Sequence, residues 1–225
     1  MDEGPDGHVL VAEWDDEGVF FYQAFNAQIA SWAVQHQRFG GPNFKPDRMT
    51  WIKPSFAWVL YRAGYGFKDD NQERILKVKL PHEAVAEILS RCSCGHGGGG
   101  AEGRVQWDPA RCLDRGEGGE PARHTEQRAI QIGMKGALSR FYVENALLIE
   151  DVTALAHAVA SAHAEPSPET EPAEPTEPTE PTLPAERPYA PRCSVEVYSQ
   201  LRLRPDPPTV AAPLRRCFVC TATRP

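Results

Sequence analysis

From Glu171 to Thr182 the dipeptide Glu-Pro recurs four times, and this run limits what the chain can fold into. Its composition cannot bury a core, and its prolines favour extended polyproline geometry. Residues 165–186 are therefore expected to be a disordered Glu-Pro linker, so the folded part must come largely from what precedes them. In a chain of 225 residues that leaves room for one sizeable domain with appendages. The expected organisation is a flexible terminus over 1–8 and a globular α+β domain over 9–153 with a Gly-rich loop at 95–103. An Ala-rich helix over 154–164 follows, then the linker. A Pro- and Arg-rich tail over 187–225 is expected to be poorly ordered, with one strand-like piece from Ser194 to Leu203.

Charge is distributed unevenly. Seven Glu fall between residues 164 and 186, equal to the formal net charge of −7, so the rest of the chain is neutral. Between residues 45 and 79 eight Lys or Arg face four Asp or Glu, a local excess of +4. That balance favours an anionic ligand without the strong basic excess of a duplex DNA binder.

The densest run of aromatic, basic and hydroxyl side chains is Asp47 to Arg62. It reads as an extended entry feeding a helix, with Pro54 at the helix start, Phe56, Val59, Leu60 and Ala63 as the apolar stripe, and Gly64 as the stop. A helix N-terminus beside Lys53 and Ser55 has the makings of an anion site, to which Arg48 and Arg62 could add charge. Trp51 and Trp58 offer stacking surfaces, although such rings are more often core.

Elsewhere the pattern alternates between strand and helix. Gly18 to Tyr22 reads as a strand and Gln23 to Arg38 as a helix. Tyr22, Gln23 and Asn26 stand at the junction. Glu73 to Leu80 alternates as a half-buried strand with Leu76, Val78 and Leu80 inward, and Pro81 opens a helix reaching about Cys92. Arg104 to Trp107 reads as a strand stopped by Asp108-Pro109, followed by polar loop over 111–126. In Gln127 to Gly133, Ile130 and Ile132 face the core and Gln131 faces away, so Gln106 and Gln131 are candidates for one wall of a pocket. A helix over Lys135 to Asn145, a strand over Leu147 to Glu150 and a helix capped by Thr153 complete the domain. This order implies α+β with a single mainly antiparallel sheet flanked by helices.

The candidate chemistry follows from these placements. Arg48, Lys53, Ser55 and Arg62 are the expected phosphate ligands. Gln23, Asn26, Trp51, Gln106, Arg128 and Gln131 are expected to orient the substrate, and Asp108 or Tyr22 to serve as general base or acid. The expected activity is that of an enzyme acting on a nucleotide or nucleic-acid phosphate group. The alternatives are a non-catalytic module for RNA or a phospho-ligand, and an interaction scaffold using the acidic Glu-Pro segment. Cys92, Cys94, Cys217 and Cys220 invite a zinc reading, but the pairs are far apart in sequence, so no metal is expected. The glycine tract lacks the Lys-Ser/Thr of a phosphate loop, and any cofactor stays unknown. Residues 1–18 are acidic and broken by Gly and Pro, and no apolar run approaches a membrane span, so a cytoplasmic protein with no membrane partner is expected.

Several blocks resemble the signature segments of domain-of-unknown-function family 4291. They are Tyr22 to Asn26, Met49 to Phe56, Tyr61 to Gly64, Gln106 to Pro109, Arg128 to Gly133, and a closing Leu183 to Tyr189. The resemblance covers roughly residues 8–152 and 183–189. It implies a compact intracellular α+β domain of bacteria and fungi, and brings no assigned activity. The chain departs from the family pattern at the glycine tract, at about 154–182 and beyond Tyr189. A split sheet carrying polar residues on separate strands is also loosely reminiscent of ADP-ribosyl-transfer folds, an analogy of fold alone.

Overall fold

The computed structural model describes residues 7–95, 101–164 and 182–205. Cys217, Cys220 and most of the Glu-Pro repeat lie outside these residues. A short strand β1 (Val11–Ala12) leads into β2 (Gly18–Phe25), a run of aromatic and β-branched residues with high strand preference. β2 runs longer than its sequence suggests, and helix α1 (Ala27–His36) begins only after Asn26, whose side chain accepts from Ile29 N at 2.9 Å. After a loop come β3 (Thr50–Ile52) and α2 (Phe56–Ala63). Ser55 caps α2, so Pro54 precedes the helix rather than opening it, and Gly64 ends it in the left-handed conformation at φ 55°.

The alternating segment forms β4 (Arg74–Pro81), with Leu76, Val78 and Leu80 fully buried, and continues directly into α3 (His82–Ser90). A short β5 (Cys92–Cys94) precedes the longest feature of the fold, the hairpin of β6 (Gly103–Arg115) and β7 (Pro121–Met134). The expected stop at Asp108-Pro109 and loop over 111–126 are thus corrected. The ladder passes through Pro109, shifts register between Pro109 and Arg111 and again before Arg115, and resumes. Bulges of this kind absorb a proline without ending the pairing. The chain closes with α4 (Gly136–Glu144), β8 (Leu148–Asp151), α5 (Thr153–His163), β9 (Arg187–Pro188) and α6 (Val195–Gln200). Thr153 opens α5 but spends its hydroxyl elsewhere, accepting from Ile75 N of β4 at 2.9 Å.

The architecture is α+β, but not one sheet. The strands form β1-β9, β2-β4-β8 and β3-β7-β6-β5, antiparallel throughout except β5-β6. The two larger sheets touch at one bridge, where Tyr22 N donates to Lys53 O at 2.7 Å and Lys53 N donates to Tyr22 O at 3.2 Å. The ladder does not continue, because the residue that would make its next hydrogen bonds, Ser55, is already the cap of α2 and the chain turns away into that helix.

The main core gathers β2, β4 and the apolar face of β3-β7-β6 against α1, α3 and α4. A second cluster packs Tyr22, Phe56, Val59, Leu60 and Ile75 against Ala156 and Val159 of α5. Within the tail expected to be poorly ordered, the described residues 187–205 send side chains into the main core. Tyr189, Tyr198, Leu201 and Leu203 are buried, and the strand expected at 194–203 is largely helix α6.

Candidate functional site

Strand alternation builds the site. In the β3-β7-β6 register, Ile52 pairs with Ile132, Val105 pairs with Ile132, and Trp107 pairs with Ile130. Ile52, Ile132, Val105 and Ile130 point into the main core. One residue out of phase, Trp51 and Arg104 flank Gly133, Gln106 faces Gln131, and Asp108 faces Ala129, giving the sheet a polar opposite face. Lys53 continues the Trp51 side of β3 onto this face.

Over it opens a cleft of about 720 Å³. Val59, Arg62 and Ala63 of α2 form one wall, and Gln23 to Asn26 with Ile29 form another. Residues from the 43–50 loop and Asn71-Gln72 complete the rim. The lining holds four cations (Lys45, Arg48, Lys53, Arg62), seven carboxamides and no carboxylate. Among the described residues Lys45, Arg48 and Arg62 are exposed and in no ion pair.

Eight of the sequence-derived candidates line this cleft: Gln23, Asn26, Arg48, Trp51, Lys53, Arg62, Gln106 and Gln131. Gln23 is buried and accepts from Tyr142 Oη at 2.6 Å. Trp51 lies flat across Gly133, where a Cβ would meet its ring at 2.8 Å, and the Arg104 guanidinium stands 4.9 Å from the ring centroid.

The other four candidates lie outside the lining. Asp108 is on the polar face, where its carboxylate accepts from Gln131 Nε2. Arg128 shares the phase of Ile130 and Ile132 and stands opposite Pro109. Tyr22 is fully buried in the second cluster and its hydroxyl donates to Glu13 at 3.2 Å. Burial first, then the nearby Glu186 and Glu13 charges, pushes the Tyr22 hydroxyl well above its ordinary pKa. Ser55 is buried at the start of α2, its oxygen accepting from Trp58 N.

The helix N-termini are already occupied. Glu186 Oε1 accepts from Phe56 N at 2.5 Å at the start of α2, and Glu73 Oε1 accepts from Ala27 N at 2.7 Å at the start of α1. Acidic side chains of the protein itself therefore occupy the first-turn N–H groups of both helices. The cleft's positive character comes from side chains instead. Burial raises the Glu186 carboxyl to about 8, helped by the Glu13 charge and opposed by the bonds from Phe56 N and Ser55. Burial lowers the Lys53 amine to about 8, with Arg62 adding to the shift and Asp108 opposing it.

Sequence reasoning missed Lys45, Asn43, Asn71, Gln72, Arg104 and Glu186. Arg104 was available in principle, since it is two residues from Gln106 on one strand. Glu186 was hidden in the charge of an apparent spacer. Among the described residues no group of His, Cys, Asp and Glu is arranged to hold a metal, and no helix is long and apolar enough to cross a membrane. Cys92 is buried beneath Gly103, and Cys94 is half-buried on the same short strand.

Fold and site together define an α+β protein whose two larger sheets are joined at one main-chain bridge, with a cationic, amide-lined cleft at the junction. The chain belongs to the family described as Domain of unknown function (DUF4291), which it matches over residues 9–189. That span ends on the closing segment that carries Glu186 and Tyr189. No curated protein matches the chain.

Proposed function

We propose that the cleft binds a phosphorylated ligand of the nucleotide class, and that the protein is an enzyme acting at the phosphate-bearing end of a nucleotide or nucleic acid. One observation carries this reading: the lining has four cations and seven carboxamides and no carboxylate. Cations in a partly desolvated groove attract phosphate and give it charge-assisted hydrogen bonds. Each carboxamide offers both donors and an acceptor, suited to base edges and sugar hydroxyls. Trp51 adds a flat aromatic surface. The volume of about 720 Å³ suits a small-molecule ligand.

In this reading Lys45, Arg48 and Arg62 hold phosphate at the mouth, while Gln23, Gln106 and Gln131 orient the rest. Asp108, bound to Gln131, is the candidate general base. A second reading has its own support, because Tyr22 is sealed in the core and Asp108 stands outside the lining. A non-catalytic module for RNA or a phospho-ligand needs neither residue.

Calorimetric titration of the full chain with inorganic phosphate, nucleoside phosphates and short RNAs tests the proposal. Arg48→Ala and Arg62→Ala should each weaken a phosphorylated ligand by about tenfold, the loss expected of one charge-assisted hydrogen bond. Binding that is unchanged in both variants would refute the phosphate assignment. Asp108→Asn that keeps affinity and loses turnover supports the enzyme. Binding without turnover in the unmodified chain, lost in Trp51→Ala, supports the module.

A further inference from the structure

The geometry points to Lys53 as an amine nucleophile that forms an imine with a carbonyl carbon of the bound ligand, making the substrate a phosphorylated aldehyde or ketone. This rests on the reading that the cleft holds phosphate; within the nucleotide class the fitting carbonyl is the open-chain aldehyde of a phosphorylated sugar that has lost its base, and the imine assigns the chemistry at the cleft's floor.

Lysines ordinarily place their ammonium in water. Lys53 is 8% exposed, yet it lines the cleft. Among the described residues its Nζ has one hydrogen bond, a long 3.4 Å contact to Trp51 O, and no ion pair. An ammonium with three protons is poorly served there, whereas a neutral amine with a free lone pair is not. The Trp58 ring, 5.5 Å from Nζ, gives the charged form one cation–π contact, which offsets the desolvation only in part. Arg62 lies within electrostatic reach and disfavours a second positive charge, and Asp108 offsets this only in part. With its amine near 8, roughly a tenth of Lys53 is neutral at pH 7. The exposed Lys45, Lys68 and Lys135 have no comparable enclosure. A desolvated lysine beside another cation is an established arrangement for activating an amine.

The step balances without an oxidant or reductant. The Nζ lone pair attacks the carbonyl carbon, and the C=O π pair moves to oxygen. A proton then passes from nitrogen to that oxygen to give a carbinolamine. The hydroxyl departs as water with a second proton, the nitrogen lone pair forms C=N, and nitrogen's remaining proton is lost. The net change is amine plus carbonyl to imine plus water. Asp108, on the same sheet face two strands away, acts on Lys53 through its charge, while Lys45, Arg48 and Arg62 line the cleft where the phosphate would lie.

Pyridoxal 5′-phosphate, a phosphorylated aldehyde, serves as the probe. The full chain is incubated with it, reduced with borohydride and mapped by peptide mass spectrometry, while melting temperature reports reversible binding. A stable adduct at Lys53 is expected, ahead of Lys45, Lys68 and Lys135. Its rate should rise with pH to a plateau above about 8, and excess inorganic phosphate should suppress it. Lys53→Arg should keep the phosphate-competed melting shift and lose the adduct. A phosphate-competed shift with no trapping at Lys53, or trapping only on exposed lysines, overturns the imine and leaves the phosphate cleft standing. No shift and no adduct at Lys53 overturns both readings.

Discussion

Replacing Glu186 by Gln should make the protein more stable in alkali and change it little in acid. The wild-type carboxyl lies against the start of α2, bonded to Phe56 N, with Glu13 close by. Its folded-state value of about 8 exceeds the ordinary 4.5. The folded state therefore holds a proton that the unfolded chain releases, and stability falls as pH rises from about 4.5 to about 8. At 1.36 kcal/mol per unit the full loss has a ceiling of about 5 kcal/mol, of which about 4 kcal/mol accrues between pH 5 and pH 9. A Gln keeps the acceptor for Phe56 N and carries no titrating charge. Urea unfolding of both proteins, followed by tryptophan fluorescence at a series of pH values, isolates the difference because other groups titrate alike in both. The variant should gain on wild type by about 4 kcal/mol from pH 5 to pH 9 and level off beyond. Parallel profiles, or a variant that loses ground as pH rises, would refute the reasoning.

Lys53→Met should stabilise the fold at pH 7 by up to about 3 kcal/mol, because the wild-type amine is held below its ordinary value. Wild-type stability should rise between about pH 8 and 10.5 as the unfolded chain also loses its proton, erasing that advantage; denaturant midpoints at pH 7 and 10.5 check this. Gly133→Ala should cost about 1–3 kcal/mol in thermal unfolding and displace Trp51, because the added methyl overlaps its ring. Asp108→Asn removes a charge that favours ammonium at Lys53, so the pH midpoint of adduct formation should move down.

Local chemistry was legible where a single segment decides its own structure. The alternation of Arg74 to Pro81 gave strand and face, and Gly64 gave the end of α2. Gln106 and Gln131 were placed on one polar face by counting in twos, and the register across β6 and β7 sets them opposite one another. Partner choice was not legible. Nothing in Ser55 or Phe56 says that Glu186, 130 residues on from Phe56, takes the helix start. Nothing in Tyr22 says that its backbone reaches Lys53 while its ring goes to the core. The single-sheet expectation failed for the same reason: whether two strands pair depends on a neighbour, and here the chain turns into α2 after one bridge. The polar residues of 111–126 read as loop because a hairpin extending past the core needs few apolar side chains.

The junction of the two sheets is made from the peptide groups of Tyr22 and Lys53 alone. Those hydrogen bonds are indifferent to the side chain hung on residue 53. Architecture and the proposed chemistry thus meet at one position without being tied to each other. Substituting Lys53 therefore interrogates the side-chain chemistry of the cleft while leaving the main-chain joint in place.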